Sequence, residues 1–302
     1  MPHRYLFLDV TRGIAVILMI LYHIIFDLDV LYGVKGIDAL KGFWYYEGRI
    51  SAILFIGISG FGTAILFNKY EQKKAIQKNI KRAFKILFWA FCITAITFFI
   101  QPEMTIHMGI LHFLGLSALL SILVLHFLNL FIFHLDNSTK SNFEKKTVVL
   151  RREANSLFII GIIWLIISAP LLKILPRSYQ FFLLGSPPET YSSWDYYPLF
   201  PWFGIILIGL ALGKTFQKHT KNTFSSARAK IQMQTLHFSH KKKLQNYKTK
   251  FFKIINTTNP FSSFSDGKLC SILKKIGQKS LPIYLLHQPI ILILLKIIFK
   301  NR

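Results

Sequence analysis

The chain has 302 residues, 52% of them hydrophobic, and a positive mean hydropathy of +0.42. This composition is typical of an integral membrane protein and excludes an ordinary soluble enzyme. The formal net charge of +24 could suit a nucleic-acid partner. The basic residues, however, cluster between apolar runs, and no motif supports nucleic-acid binding.

Seven apolar runs are long enough to cross a bilayer, and they predict an all-α, polytopic protein. They lie at about 6–26, 50–68, 83–100, 107–134, 156–176, 198–214 and 281–298. We therefore expect a single membrane domain over residues 1–302, with core helices at about 6–214 and 281–298.

The positions of lysine and arginine predict the orientation of these helices. They cluster between runs two and three, four and five, and six and seven, whereas the loop 101–107 has none. By the positive-inside rule this alternation places the N-terminus in the cytoplasm and the C-terminus outside. The expected partner of the excess charge is anionic lipid at the cytoplasmic face, and not nucleic acid.

The stretch 215–279 differs from the rest of the chain in composition. It is rich in Lys, Ser, Thr, Asn and Gln and has almost no acidic residues. We expect a basic cytoplasmic loop that is partly disordered or lies on the membrane surface, with a short amphipathic helix near 224–255.

The first run, LDVTRGIAVILMILYHIIFDL, holds a cation and an imidazole at membrane depth. Arg12 and His23 are eleven residues apart, so they share one helix face and lie roughly 16 Å apart along the axis. Ionisable groups within a membrane are costly, which favours a functional site. The alternative is an ordinary anchor, with Arg12 reaching one interface and His23 facing headgroups at the other. Asp9, three residues before Arg12, could simply neutralise it.

Depth along the helices sorts the polar side chains into two layers. Arg12, His287 and Gln288 are expected in an inner layer that binds an anionic acyl donor. His23 and Asp27 are expected in an outer layer, where the carboxylate orients the imidazole and raises its basicity. Such a pair could deprotonate a hydroxyl or amine that attacks an acyl carbonyl, while Arg12 stabilises negative charge. Alternatively, His287 and Gln288 only satisfy backbone groups freed by the following proline, and Asp27 is loop charge.

Other candidates lie toward the same outer end. His112, in GILHFLGLS, is a second catalytic candidate, although a lone histidine there also fits a hydrogen bond between helices. Arg49 and Tyr197 are candidate contacts to the acyl acceptor. Tyr196, Tyr197 and Trp202 also fit an interfacial aromatic belt. The histidines lack a shared short spacing, so no metal site is predicted.

Five segments carry a resemblance to a known family: LDVTRGIAVILMILYHIIFDL, LFIGISGFG, GILHFLGLSALL, YYPLFPWFGIILIGLALGK and GQKSLPIYLLHQPIIL. In this order they resemble the bacterial membrane family related to the catalytic domain of heparan-alpha-glucosaminide N-acetyltransferase, over about 5–134 and 190–298. The resemblance implies an acyltransferase of the bacterial inner membrane. Such an enzyme takes acetyl from cytoplasmic acetyl-CoA and delivers it to a sugar or envelope glycolipid on the outer side.

The resemblance also bears on which residues carry the chemistry. A wider set of membrane acyltransferases has a cation, ten residues and then a histidine on the first helix, and Arg12 and His23 match that spacing. The lysosomal heparan enzyme places its essential histidine in the first non-cytoplasmic loop. The corresponding stretch here, Leu28 to Gly48, contains no histidine. Catalysis would therefore depend on His23 or His112, and the acceptor is expected to differ from heparan.

Two other kinds of function fit parts of the sequence. A transporter or permease for a small anion or sugar would use the same polar path without chemistry, and it predicts inverted repeats around a midplane site. A non-enzymatic partner would dock through the basic loop 215–279. Within the acyltransferase hypothesis, N- or O-transfer and a covalent or direct route all remain open.

Overall fold

The computed structural model of the chain describes residues 5–135, 142–216 and 267–300. Over these residues it forms seven helices that are long and apolar enough to cross a membrane, which confirms the predicted all-α, polytopic fold. One shorter helix precedes the last of them. In chain order the helices are α1 Leu6–Phe26, α2 Gly42–Lys69, α3 Gln72–Ile100, α4 Ile110–Leu135, α5 Asn142–Ile174, α6 Leu199–Phe216, α7 Lys268–Gln278 and α8 Ser280–Ile298.

The chain divides into two compact units. The first unit comprises Met1–Ile58 and Asn222–Arg302, and the second comprises Ser59–Lys221. The predicted single membrane domain stays a prediction. The amphipathic helix expected near 224–255 lies outside the described residues.

In the first unit, α1 packs against α2 and α7 through small residues. Gly48 of α2 lies against the ring of Tyr22, and the Ser51 hydroxyl donates to the backbone oxygen of Ala15 at 3.0 Å. A Cβ at Gly277 of α7 would overlap the backbone carbonyl oxygen of Asp9. A side chain there would force the helices apart, so the absence of one lets α7 lie directly on the first turns of α1. The end of the predicted loop 215–279 is therefore a packed helix.

In the second unit, buried polar side chains join neighbouring helices. The side-chain amide of Asn79 in α3 is fully buried and donates to the backbone oxygen of Ala118 in α4 at 2.7 Å. Lys214 of α6 and Glu153 of α5 form a buried ion pair, with Nζ 2.6 Å from Oε2. Polar groups buried in this way hold two helices in one register, because each would be costly without its partner.

Candidate active site

Helices α1 and α8 lie side by side and run in the same direction. Their side chains meet along the second half of α1 and beyond its end. The contacts in order are His287 with His23, Gln288 with Asp27, and Phe299 with Tyr32. Nearer the start of α1, Gln278, the last residue of α7, hydrogen-bonds Asp9. Residues more than 260 positions apart in the sequence thereby form one continuous polar edge within the first unit.

Asp27 is the most deeply buried carboxylate along this edge. Only 1% of its surface is exposed, and it begins a π-helical turn, Asp27–Leu31, that continues α1. Both of its carboxylate oxygens accept from Nε2 of Gln288, at 2.9 and 2.8 Å. Turns of this kind occur often at functional sites, because the extra residue re-aims the side chains around it. Here it accompanies a carboxylate that faces α8 at membrane depth.

The second element of the edge is a pair of imidazoles. The ring centroids of His23 and His287 are 4.8 Å apart, and His287 is 8% exposed. The Nδ1 of His287 lies 2.6 Å from the backbone oxygen of Tyr284, which can only accept, so Nδ1 carries the proton. In the neutral ring Nε2 is then an acceptor. It is buried, and among the described residues it has no hydrogen-bond partner.

These contacts correct the predicted depth of His287 and Gln288. They lie at the level of His23 and Asp27, and not with Arg12. The prediction measured the helical rise from the start of α8 alone. The contacts of His287 with His23 and of Gln288 with Asp27 show instead that α8 is displaced along α1 toward the C-terminal end of α1.

The predicted pairing of His23 with Asp27 takes a different form. The recorded partner of the Asp27 carboxylate is Gln288, and among the described residues no hydrogen bond joins it to His23. Gln288 comes from α8, so α1 alone does not supply the carboxylate's partner. The two predicted catalytic residues therefore share one polar edge without touching through a hydrogen bond.

Arg12 lies near the other end of α1. Its Nη1 is 3.6 Å from Oδ1 of Asp9, and its side chain is 28% exposed. Oδ2 of the same carboxylate accepts from Nε2 of Gln278 at 3.0 Å. The ion pair at i,i+3 agrees with the neutralising role considered for Asp9. The guanidinium nevertheless keeps a surface through which it could meet an anion.

His112 lies in the second unit, where it links α3 to α4. Its Nε2 is 3.1 Å from the hydroxyl of Thr94, and that hydroxyl donates to the backbone oxygen of Ile106 at 2.6 Å. Since the hydroxyl proton is directed to Ile106, Nε2 of His112 is the donor. With 5% of its surface exposed, His112 has the contacts of a residue that joins two helices.

The remaining predicted residues have local partners. The Arg49 guanidinium carbon lies 5.1 Å from the centre of the Tyr45 ring in the first unit. In the second unit, the rings of Tyr197 and Trp202 are 4.8 Å apart, and Tyr196 donates to the backbone oxygen of Phe182 at 2.6 Å. Burial raises the pKa of Tyr196 above its usual value, so its hydroxyl remains a donor.

Sequence reasoning did not find two residues that the structure brings forward. Tyr284 orients His287 through its backbone oxygen, which only the spacing of three residues could have suggested. Glu47 in α2 is 8% exposed, and both of its carboxylate oxygens have no hydrogen-bond partner among the described residues. The available signal was weak, because Glu47 precedes the predicted run 50–68 and was read as part of the loop before it. The described residues contain no cluster of three or more His, Cys, Asp or Glu side chains that could hold a metal ion.

Seven membrane-length helices with a buried polar edge define an integral membrane protein that holds ionisable groups within the bilayer. The family model described as "Heparan-alpha-glucosaminide N-acetyltransferase, catalytic" matches residues 4–136 and 146–252. The chain belongs to this family, which is one of membrane acetyltransferases, and the predicted resemblance is confirmed. Helix α8, with His287 and Gln288, follows the matched residues. Neither the curated proteins nor the solved structures contain a significant match to the chain.

Proposed function

We propose that the chain is an acetyl-CoA-dependent acetyltransferase of the bacterial inner membrane. It moves acetyl from the cytoplasmic side to a sugar or envelope glycolipid on the outer side. The observation that carries this proposal is the polar edge between α1 and α8, where two imidazoles and a buried carboxylate meet at membrane depth. Burying ionisable groups in such a place costs free energy, so their presence favours a functional role.

The two ends of α1 suit the two substrates. Arg12 sits near the start of the helix, which the charge distribution assigns to the cytoplasm. There its guanidinium would attract the phosphates of acetyl-CoA. His23 lies about 16 Å further along the same helix. An extended donor bound from the cytoplasm would thus deliver its acetyl group toward the imidazoles, where the acceptor arrives from the other side.

The chemistry proposed at that point is acyl transfer assisted by imidazole. His23 either takes a proton from the acceptor or carries the acetyl group as a covalent intermediate, and both routes need an uncharged ring nitrogen. Asp27 would stabilise positive charge that develops on the nearby imidazoles. Arg49, in the same unit, remains a proposed contact to the acceptor. The roles of Tyr197 and His112, which belong to the second unit, stay predictions from the sequence, and the observed contacts of His112 favour a structural role.

The test is transfer of radiolabelled acetyl from acetyl-CoA to envelope glycolipid extract by the purified protein. His23→Ala should lose transfer by roughly 10²–10⁴-fold, the usual contribution of a positioned acid or base. His126→Ala is the matched control, because His126 is an exposed histidine of α4 with no proposed role.

Two outcomes would contradict the proposal. One is transfer by His23→Ala at the wild-type rate. The other is uptake of a solute into vesicles by wild type without any acetylated product, which is the behaviour of the transporter alternative. Label retained on the protein in the absence of acceptor would identify the covalent route.

A further inference from the structure

Two acceptor atoms lie buried on α8 beside His23 and Asp27. They are Nε2 of His287 and Oε1 of Gln288, and neither has a hydrogen-bond partner among the described residues. A buried acceptor without a donor costs free energy, so such atoms are seldom left unpaired in a folded protein. Two of them on neighbouring residues indicate a place where a ligand supplies donors.

We propose that His287 and Gln288 form the acceptor subsite of the enzyme, which binds a group with two or more hydrogen-bond donors, such as the hydroxyls or amine of a sugar. Within it, Nε2 of His287 receives the proton of the attacking group. The inference rests on the proposed acetyltransferase function and gives these residues a role different from donor binding.

The orientation of each side chain is set by a neighbour. The Tyr284 backbone oxygen holds the proton of His287 on Nδ1, which leaves the Nε2 lone pair available. Both oxygens of the Asp27 carboxylate accept from Nε2 of Gln288, so Oε1 of Gln288 points away from that carboxylate. Both atoms are therefore acceptors as long as the His287 ring is neutral, and Nε2 can take up a proton while Nδ1 keeps its bond to Tyr284.

This polarity selects the class of ligand. An anionic phosphate would be repelled by two acceptors next to a buried carboxylate, so the nucleotide end of acetyl-CoA does not suit the subsite. An acyl chain has no donors to offer. A sugar presents several hydroxyl donors close together, and an amino sugar adds an amine. Sites built in this way reject analogues that lack the donor, because the buried acceptors are then left unpaired.

In the transfer step, His287 accepts the proton that the attacking group loses. A lone pair on the acceptor's oxygen or nitrogen forms a bond to the acetyl carbonyl carbon, and its proton moves to Nε2. The carbon–sulfur bond of the thioester breaks, and the departing thiolate takes up the proton to give free CoA and the acetylated acceptor. His23, whose ring centre is 4.8 Å from that of His287, is then available to act on the acetyl group itself.

Two substitutions of His287 distinguish the roles of its two ring nitrogens. His287→Asn places an amide donor near the position of Nδ1, so it keeps the hydrogen bond to Tyr284 but removes the proton acceptor. His287→Gln places an amide near the position of Nε2, where it can accept a hydrogen bond but cannot take a proton at neutral pH. Elution volume and thermal midpoint in detergent show whether each variant is folded.

The assay measures initial rates with labelled acetyl-CoA and envelope glycolipid extract, together with direct binding of acetyl-CoA. We expect both variants to lower kcat by roughly 10²–10⁴-fold, with acetyl-CoA binding within about twofold of wild type. The wild-type rate should fall as the pH is lowered, because Nε2 becomes protonated. In His287→Asn the fall should be smaller, because His23 is then the one facing imidazole that remains. Gln288→Met should raise the KM for the extract roughly tenfold, the effect of one lost hydrogen bond.

The outcomes distinguish this inference from the proposed function. Wild-type kcat in folded His287→Asn overturns the inference alone. The same holds if Gln288→Met weakens acetyl-CoA binding and leaves the KM for the extract unchanged. Absence of any acetyl transfer by the wild-type protein overturns the proposed function, and the inference with it.

Discussion

Replacing Lys214 tests how strongly a buried ion pair joins α5 to α6. Lys214 and Glu153 have side chains only 6% and 5% exposed, with 2.6 Å between Nζ and Oε2. Lys214→Met leaves the Glu153 carboxylate buried without its cation, which should cost about 3–5 kcal/mol of folding free energy. The double variant Lys214→Met/Glu153→Leu removes both charges and should return to within about 1 kcal/mol of wild type.

The chain offers an exposed ion pair as a matched control. Arg177 and Glu189 are joined at 3.3 Å, but their side chains are 67% and 79% exposed. Arg177→Met should change stability by less than about 1 kcal/mol, because water already solvates both charges. High salt should weaken the exposed pair and leave the buried pair nearly unchanged.

Thermal unfolding in detergent measures both pairs. At roughly 2–4 °C per kcal/mol, the single variant at Lys214 should lower the midpoint by roughly 6–20 °C. The reasoning is refuted if that variant unfolds within 2 °C of wild type, by the same conversion. It is equally refuted if the double variant is no more stable than the worse single one.

Three further substitutions test contacts described above. Gly277→Ala should reduce stability by about 1–3 kcal/mol and lower acetyl transfer, because its Cβ would meet the Asp9 carbonyl. Gly267→Ala is its control, since nothing lies within 4 Å of a Cβ there, and equal effects in both would contradict the close packing. Asn79→Ala should cost about 0.5–1.5 kcal/mol, because it removes a buried hydrogen bond between α3 and α4; an unchanged unfolding midpoint would show that this bond does not stabilise α3 against α4. Asp195→Ala should cost about 0.5–2 kcal/mol, because Oδ2 of Asp195 accepts from the Ile110 backbone nitrogen at 2.9 Å at the start of α4. Asp195→Asn should recover most of that loss in the same melting experiment, and failure to do so would assign the loss to charge.

The helices were predictable because a membrane-spanning helix needs a long apolar run, which is a strong and local pattern in the sequence. The run 6–26 coincides with α1, Leu6–Phe26, since nearly every residue in it is apolar. The start of α2 at Gly42 was placed too late, at residue 50, because Glu47 and Arg49 lower the hydropathy of its first turns. Helix α7 was missed because it is short and amphipathic, and its lysines suggest a loop when only composition is read.

The candidate site was predictable residue by residue, but its pairing was not. His23, Asp27, His287 and Gln288 stood out as polar residues in apolar runs, which is a property of each run by itself. Which of them meet depends on how far α8 is shifted along α1. The shift follows contacts between the helices, and the preceding helix α7 is itself held on α1 by the contact of Gln278 with Asp9 and by the close approach at Gly277. Neither contact leaves a periodic signal in the sequence.

The pairing of α1 with α8 has a consequence for biosynthesis. A ribosome makes α1 early, yet His287 and Gln288 emerge only after every other described helix, so a nascent chain that ends before Ser280 carries His23 and Asp27 without their partners. Under the proposed mechanism, the incomplete chain would not transfer acetyl from acetyl-CoA during insertion. Activity would appear in one step, when the final helix enters the bilayer beside the first.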